Sequence, residues 1–386
     1  MSQSPSVQPS LSIIVPTRNR HHTAESLLRG LHAEPDPDFE VIVQDNSDSD
    51  QMAAFVAALS DPRITYEYRP EAMNMHQNFD IALQRASGDY WVAIGDDDGV
   101  LVGSALRAIK RAQEQDLDAV LAPIVSFAWP GLKHRIWGEI GGQTDLQRRL
   151  WADGTVIDPA VLLQKVYAGG LLGGVGNLPR IYQGLVSRRS MDALYARCGT
   201  YFPGASPDMA NAVGLVPFVN GMLYVHEPMI VAGHSARSGG GQGSAGTHHG
   251  EVAQQPHLPA DTAEKWHLAI PFFWSAPTIY AQSVVTAVAA TQPQFAARPA
   301  WHKLYAACLV YEASQYRPRI RTAIAACERN RGLLALAIVA SCVFMVGQRA
   351  ITFARNLAKQ IAASRNTTRI SDMEELFLSL KSGKSD

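Results

Sequence analysis

The sequence predicts an α/β fold: a mainly parallel sheet flanked by helices, followed by a helical C-terminal appendage. Three observations lead there. Short β-branched runs alternate with helical segments through the first hundred positions, the pattern of βαβ units. The runs are continuously apolar, as strands covered by helices on both faces are. Beyond about residue 262 the strand-like runs stop and the spacing turns helical.

The leader MSQSPSVQPS has neither a basic n-region nor an apolar h-region, so no signal peptide is expected and the chain is expected to stay in the cytoplasm. LSIIVPT (Leu11–Thr17) then reads as a buried strand ending in Pro and Thr. Ala24, Leu27, Leu28 and Leu31 share one helical face. FEVIVQDNSDSD (Phe39–Asp50) is a second strand that stops in Asp, Asn and Ser. MAAFVAAL is a helix, ITYEY (Ile64–Tyr68) a strand and NFDIALQRA a helix. YWVAIGDDDGVL (Tyr90–Leu101) is a strand that runs into three consecutive aspartates. Polar residues thus collect at the carboxyl ends of the first, second and fourth strands, where open α/β sheets bind ligands. Residues 10–120 are expected to form a nucleotide-binding half, and residues 121–260, richer in Gly and Pro and holding the run Ser238–Gly246, an acceptor-binding half. Residues 261–386 are expected to form the helical, basic C-terminal region.

The 386 residues carry 34 Lys and Arg against 35 Asp and Glu, a net charge of -1 that gives no reason to expect nucleic acid. The balance is uneven. Between Arg317 and Arg369 ten basic residues face one acid, an excess of +9, which leaves -10 for the rest. Gly332–Gln348 within that segment is free of charge for 17 residues, the lower limit for a span. A span, an interfacial helix and a buried helix all fit that length. The flanking arginines favour peripheral contact with an anionic membrane at its cytoplasmic face. Four scattered cysteines form no C-x-x-C pair, which fits a reducing compartment.

Asp96, Asp97 and Asp98 at one strand end would repel one another without a cation. Mg²⁺ or Mn²⁺ takes oxygen ligands and keeps positions open for substrate phosphates. If the strand continues through them, Asp96 and Asp98 share one face and Asp97 takes the other. One carboxylate could then hold the metal while another reaches a ribose hydroxyl. Asp45 and Asn46 close the second strand at the same edge, and Thr17, Arg18 and Asn19 follow the first. Neither G-x-G-x-x-G after the first strand nor G-x-x-x-x-G-K-[ST] occurs, which argues against dinucleotide oxidoreductases and P-loop NTPases.

LSIIVPTRNR, VIVQDNSDSD and NFDIALQRASGDYWVAIGDDDG, in that order and spacing, resemble the nucleotide-binding half of glycosyltransferase family 2. The resemblance implies a GT-A-like, Rossmann-type fold and an inverting transfer from a nucleoside-diphosphate sugar. The donor is expected to be UDP-linked, and the acceptor a saccharide or lipid-linked glycan of cell-surface polysaccharide synthesis. It implies nucleobase contacts at Pro16, Thr17 and Asp45, with Arg18 beside them, and a donor contact at Asn78. It maps the D-x-D motif to Asp96 and Asp98 as ligands for Mn²⁺ or Mg²⁺, Asp98 foremost, and puts Asp96 and Asp97 on the donor. GDDDG departs from the family's usual D-x-D-D, which leaves the choice between Asp97 and Asp98 open. Asp208 in SPDM, about a hundred positions later, is implied as general base. His234 and Arg237 in GHSARS are implied as further metal or diphosphate contacts. Two rival readings are a nucleotidyltransferase of sugar phosphates and a non-catalytic membrane scaffold. PTRNRHH lacks the glycine that a triphosphate-gripping loop of the first rival would need.

Overall fold

The computed structural model describes residues 8–71, 73–134, 138–236, 250–255, 258–259, 261–327, 330–363 and 370–381. The chain opens with β1 (Leu11–Thr17), α1 (His21–His32), β2 (Phe39–Asp45), α2 (Met52–Leu59), β3 (Ile64–Tyr68), α3 (Met75–Leu83) and β4 (Tyr90–Ala93). β1 pairs in parallel with β2 and β4, and β2 with β3. Leu11, Ile13 and Val15 enter one core cluster and Ile14 the other, all without exposed surface. LSIIV is apolar at successive positions because helices cover both of its faces.

The chain continues through β5 (Gly99–Val100), α4 (Val102–Gln113), β6 (Ala119–Leu121), β7 (Val125–Ala128), β8 (Lys133–His134), β9 (Gly138–Glu139), β10 (Thr144–Leu146) and β11 (Thr155–Ile157). There follow α5 (Pro159–Ala168), β12 (Leu185–Ser187), α6 (Arg188–Cys198), α7 (Pro207–Leu215), β13 (Met222–Tyr224) and β14 (Ile230–His234). The main sheet has eight strands in the order β11-β13-β6-β12-β4-β1-β2-β3. β12 runs antiparallel to both of its neighbours. A second sheet has the order β10-β7-β14-β5. β4 belongs to the first sheet and β5 to the second, so Ile94–Asp98 carries the chain from one to the other. The three aspartates therefore stand at the junction of the sheets.

The C-terminal part holds α8 (Ala276–Thr291), α9 (Trp301–Tyr311), α10 (Arg317–Ala326), α11 (Arg331–Ala363) and α12 (Met373–Lys381). Regular helix begins at Ala276, later than the sequence pattern suggests. The charge-free stretch lies inside α11, a helix of 33 residues. Leu334 and Ile338 of α11 join the core, whereas Leu333, Leu336, Val339, Val343 and Phe344 are at least 61% exposed. Among the described residues it is one helix long and apolar enough to cross a membrane, with mean hydropathy 1.9 over Arg331–Thr352. α12 then returns to the N-terminal half and packs on α1. Phe377 lies against Gly30 and Gly99, where an added Cβ on Gly99 would come within 2.7 Å of its ring. Met373 N donates to Ser26 Oγ at 3.2 Å. The last helix thus backs the strand that follows the three aspartates.

Candidate active site

Ile94–Asp98 is a turn, not a continued strand. Asp98 N donates to Gly95 O at 3.1 Å and closes it. The alternation expected for Asp96, Asp97 and Asp98 therefore does not hold, and each carboxylate takes its own direction. All three are buried. Asp98 turns into the fold. Its Oδ1 accepts from Gly233 N at 2.8 Å, and its Oδ2 from Gly95 N at 2.8 Å, Tyr182 Oη at 3.0 Å and Gln183 Nε2 at 3.1 Å. Four donors from three separate segments fix it as the tie of the turn. Asp97 accepts from Ser235 N at 3.1 Å and Ser235 Oγ at 2.7 Å through Oδ2. Gly233 is required here, since a Cβ would lie 1.7 Å from Asp97 O.

Asp96 accepts from Thr17 Oγ1 at 2.6 Å through Oδ2. Its Oδ1 is buried without a hydrogen bond and faces the guanidinium of Arg20 in an ion pair. Arg20 also donates to Asp97 Oδ1 at 3.1 Å. Arg18 does not share this role. It is exposed and pairs loosely with Asp48 at 3.7 Å. The reason lies in Asn19, which adopts φ 56, a left-handed conformation that Asn tolerates. Its side chain exchanges hydrogen bonds with Asp48 at 3.0 Å. Past that reversal Arg20, not Arg18, reaches the aspartates.

One guanidinium thus stands against three buried carboxylates. Burial pushes the Asp96 carboxyl up to about 7, with Arg20 opposing and Asp97 adding to the rise. Burial, then Asp97, raises Asp98 as well. Among the described residues no group of three His, Cys, Asp or Glu side chains converges as a complete metal shell. Asp96 and Asp97, two buried carboxylates held against one arginine, still suit a hard cation that completes its coordination with water and substrate phosphate.

At the end of β2, Asp45 is fully buried. It accepts from Ser47 N at 2.8 Å and Tyr66 Oη at 2.9 Å, with His21 Nε2 at 4.0 Å. Pro16 stands beside Gln44 in the β1–β2 register and Thr17 beside Asp45. Asn78 is buried on α3, and its Oδ1 has no hydrogen-bond partner among the described residues. Asn74 caps that helix in a reciprocal pair with Gln77. His234 ends β14, between Gly233 and Ser235, which hold the turn. Its imidazole makes no hydrogen bond among the described residues. Arg237 and the glycine run Ser238–Gly246 lie outside the described residues.

Asp208 is the second residue of α7, with Ser206 in the cap position. Its Oδ1 accepts from Ser206 Oγ at 2.5 Å and from Met209 N at 2.9 Å. The chain from Arg180 to Gln183 joins this helix to the aspartates. Asn211 Oδ1 on α7 accepts from Ile181 N at 3.0 Å, and Ala93 N donates to Ile181 O at 2.9 Å. Tyr182 interacts electrostatically with Asp98, Asp97 and Asp208. Burial first, then those charges, holds its hydroxyl well above the ordinary tyrosine range, so it remains a donor. Sequence reasoning misses Arg20, Tyr182, Gln183 and Ser235. Their contacts span 77 to 138 positions, and no local pattern marks them.

The fold and the buried aspartate turn at its strand ends define a domain of the GT-A type. Residues 12–164 match the family model described as Glycosyl transferase family 2. It is 32% identical over 109 residues to the GalNAc(5)-diNAcBac-PP-undecaprenol beta-1,3-glucosyltransferase of Campylobacter jejuni, covering 28% of this chain and 35% of that protein. It is 32% identical over 92 residues to a candidate colanic acid biosynthesis glycosyl transferase of Escherichia coli, WcaA, covering 23% and 33%. The chain thus spans about a third of the length of the curated relatives it matches. The crystal structure of Staphylococcus aureus TarS 1-349 in complex with UDP-GlcNAc superposes with TM-score 0.51 at 14% identity, covering 85% of this chain and 81% of that one. That likeness is one of fold.

Proposed function

We propose that the chain is an inverting glycosyltransferase of cell-surface polysaccharide synthesis. It moves a sugar from a UDP-linked donor to a hydroxyl of a saccharide or lipid-linked acceptor. The observation that carries this reading is the cluster of three buried aspartates, matched by one arginine, on a turn of the family 2 segment. The donor is supported by the TarS complex, and the lipid-linked acceptor by the Campylobacter relative's name. Thr17 and Asp45 at the strand ends, with Asn78 on α3, are the residues for the nucleoside. Asp96 and Asp97 are the residues that would hold Mn²⁺ or Mg²⁺, since Asp98 is committed to the turn. The cation would supply charge to balance the diphosphate. Asp208 takes the proton from the acceptor hydroxyl as its oxygen bonds the anomeric carbon. The bond from that carbon to the phosphate oxygen breaks, and the nucleoside diphosphate leaves with the electron pair. Calorimetry with a panel of nucleotide sugars and Mn²⁺ tests the reading. Binding of a UDP-sugar is expected, and binding of none of the panel would refute it.

The raised pKa of Asp96 has a measurable consequence. Between the ordinary carboxylate range, about 4, and about 7 the folded chain holds a proton that the unfolded chain has lost. Stability of the cation-free protein therefore falls as pH rises through that window. A cation competes with that proton, so its stabilisation grows with pH. At a concentration ~100 times Kd it is worth ~2.7 kcal/mol, or about 3 °C in Tm. Differential scanning fluorimetry with Mn²⁺ should show that rise at pH 8 and little at pH 5. Equal shifts at both values would contradict the assignment of Asp96.

The exposed apolar face of α11, with Arg331 and Arg349 flanking it, is read as a peripheral contact with anionic lipid at the cytoplasmic membrane face. Headgroup attraction contributes ~1 kcal/mol per basic residue near the surface. In vesicle sedimentation, L336E with V343E should weaken binding to phosphatidylserine vesicles at least about tenfold. Both residues point away from the core, so the thermal transition should stay put. Unchanged partitioning would remove the role of α11.

A further inference from the structure

Arg180 stands between the end of β4 and α7 without a partner among the described residues. Its backbone is fixed from both sides: the neighbouring Ile181 bonds to Ala93 at the end of β4 and to Asn211 of α7. The side chain is half-buried, and Nε is shut off from solvent with no hydrogen-bond partner. No hydrogen bond or ion pair joins the guanidinium to any described residue. The charges it senses are Asp208 and the hydroxyl of Tyr182, and no carboxylate of the described residues lies within ion-pair distance. Gly176 leaves the space it occupies: a Cβ there would lie 2.9 Å from Nη1. Withdrawing a guanidinium from water is costly unless an anion meets it. Asp96 and Asp97 have Arg20; Arg180, which senses Asp208 and the tyrosine tied to Asp98, has no such partner among the described residues.

We propose that Arg180 is an anion-binding residue that grips a phosphate group during transfer. Its planar fork of donors suits two phosphate oxygens at once, and its place between the aspartate turn and Asp208 is where the donor's anomeric carbon meets the acceptor. The phosphate is the donor's diphosphate, or else one carried by the acceptor. The inference rests on the reading of the aspartate turn and Asp208 as a glycosyl-transfer site.

Two titrations with the full chain separate these sources. In the first, UDP and uridine are titrated into wild type, Arg180→Gln and Arg180→Lys in Mn²⁺ buffer. Arg189→Gln, at the opposite part of the sheet against Asp118, controls for loss of a surface charge. If Arg180 holds the donor diphosphate, UDP binding weakens about 10- to 100-fold in Arg180→Gln and several-fold in Arg180→Lys, with uridine unchanged. In the second, inorganic phosphate is titrated into the UDP-saturated proteins. If the acceptor brings the phosphate, UDP binding stays as in wild type and phosphate binding is lost in Arg180→Gln. Wild-type affinities in both titrations for Arg180→Gln overturn the proposal. Should that variant not fold, the same two titrations on Arg180→Lys decide the matter, and wild-type affinities there overturn the proposal equally. A wild-type protein that binds no UDP refutes the donor reading itself, a result distinct from the failure of Arg180 alone.

Discussion

Asp97→Asn is expected to lower kcat/KM for the donor by roughly 10²–10³-fold, the loss typical when one preorganised charge contact to the reacting group is removed. The replacement keeps the shape of the side chain, its amide oxygen can still accept from Ser235 N and Oγ, and the one hydrogen bond lost is that from the part-exposed Arg20 to Oδ1. What disappears is the negative charge that, with Asp96, suits the site to a cation. The thermal transition should move little, while donor binding should lose its response to Mn²⁺. Asp98→Asn makes the contrast. Its two oxygens accept four hydrogen bonds, and an amide nitrogen in place of one oxygen leaves buried donors facing a donor. That costs about 1–3 kcal/mol per unsatisfied group, so this variant should lose stability first. Steady-state release of nucleoside diphosphate, measured beside urea unfolding, separates the two. Full activity in Asp97→Asn with an inactive, equally stable Asp98→Asn would return the metal to Asp98.

Asp208→Asn is expected to lower kcat about 10²–10⁴-fold, the usual contribution of a positioned proton acceptor, with donor affinity nearly unchanged. The carboxylate sits in the first turn of α7, where the helix dipole favours negative charge. Ser206, not Asp208, occupies the cap position, and its hydroxyl donates to Asp208 Oδ1. Loss of a dipole contact at a helix end is worth about 0.3–1 kcal/mol, so a stabilising role alone predicts a small change in unfolding and none in turnover. A kcat within a few-fold of wild type would remove Asp208 from the chemistry.

The strands were legible in the sequence because burial on both faces writes itself as unbroken apolar runs such as LSIIV and FEVIV. The strand-end positions Thr17, Asp45 and Asp96 were legible for the same reason: where an apolar run stops in polar residues, an edge is near. The direction of each aspartate was not. GDDDG has the composition of a turn, and a turn replaces two-residue alternation with hydrogen bonds that depend on Gly233, Ser235 and Tyr182, 84 to 138 positions away. Arg18 and Arg20 look alike in PTRNR; the left-handed Asn19 decides between them. Arg180 carries no local signature, because its meaning comes from the absence of partners after folding. The 17-residue apolar stretch fixed neither the length of α11 nor the return of α12 to α1, since both depend on packing by residues on either side of it.

The most direct test of the central claim is product identity. Wild-type chain incubated with a UDP-sugar and Mn²⁺, then resolved by ion-exchange chromatography, should release UDP slowly without acceptor, and release should stop on chelation with EDTA. Release of pyrophosphate, or of UDP at the same rate in EDTA and in Asp97→Asn, would contradict it.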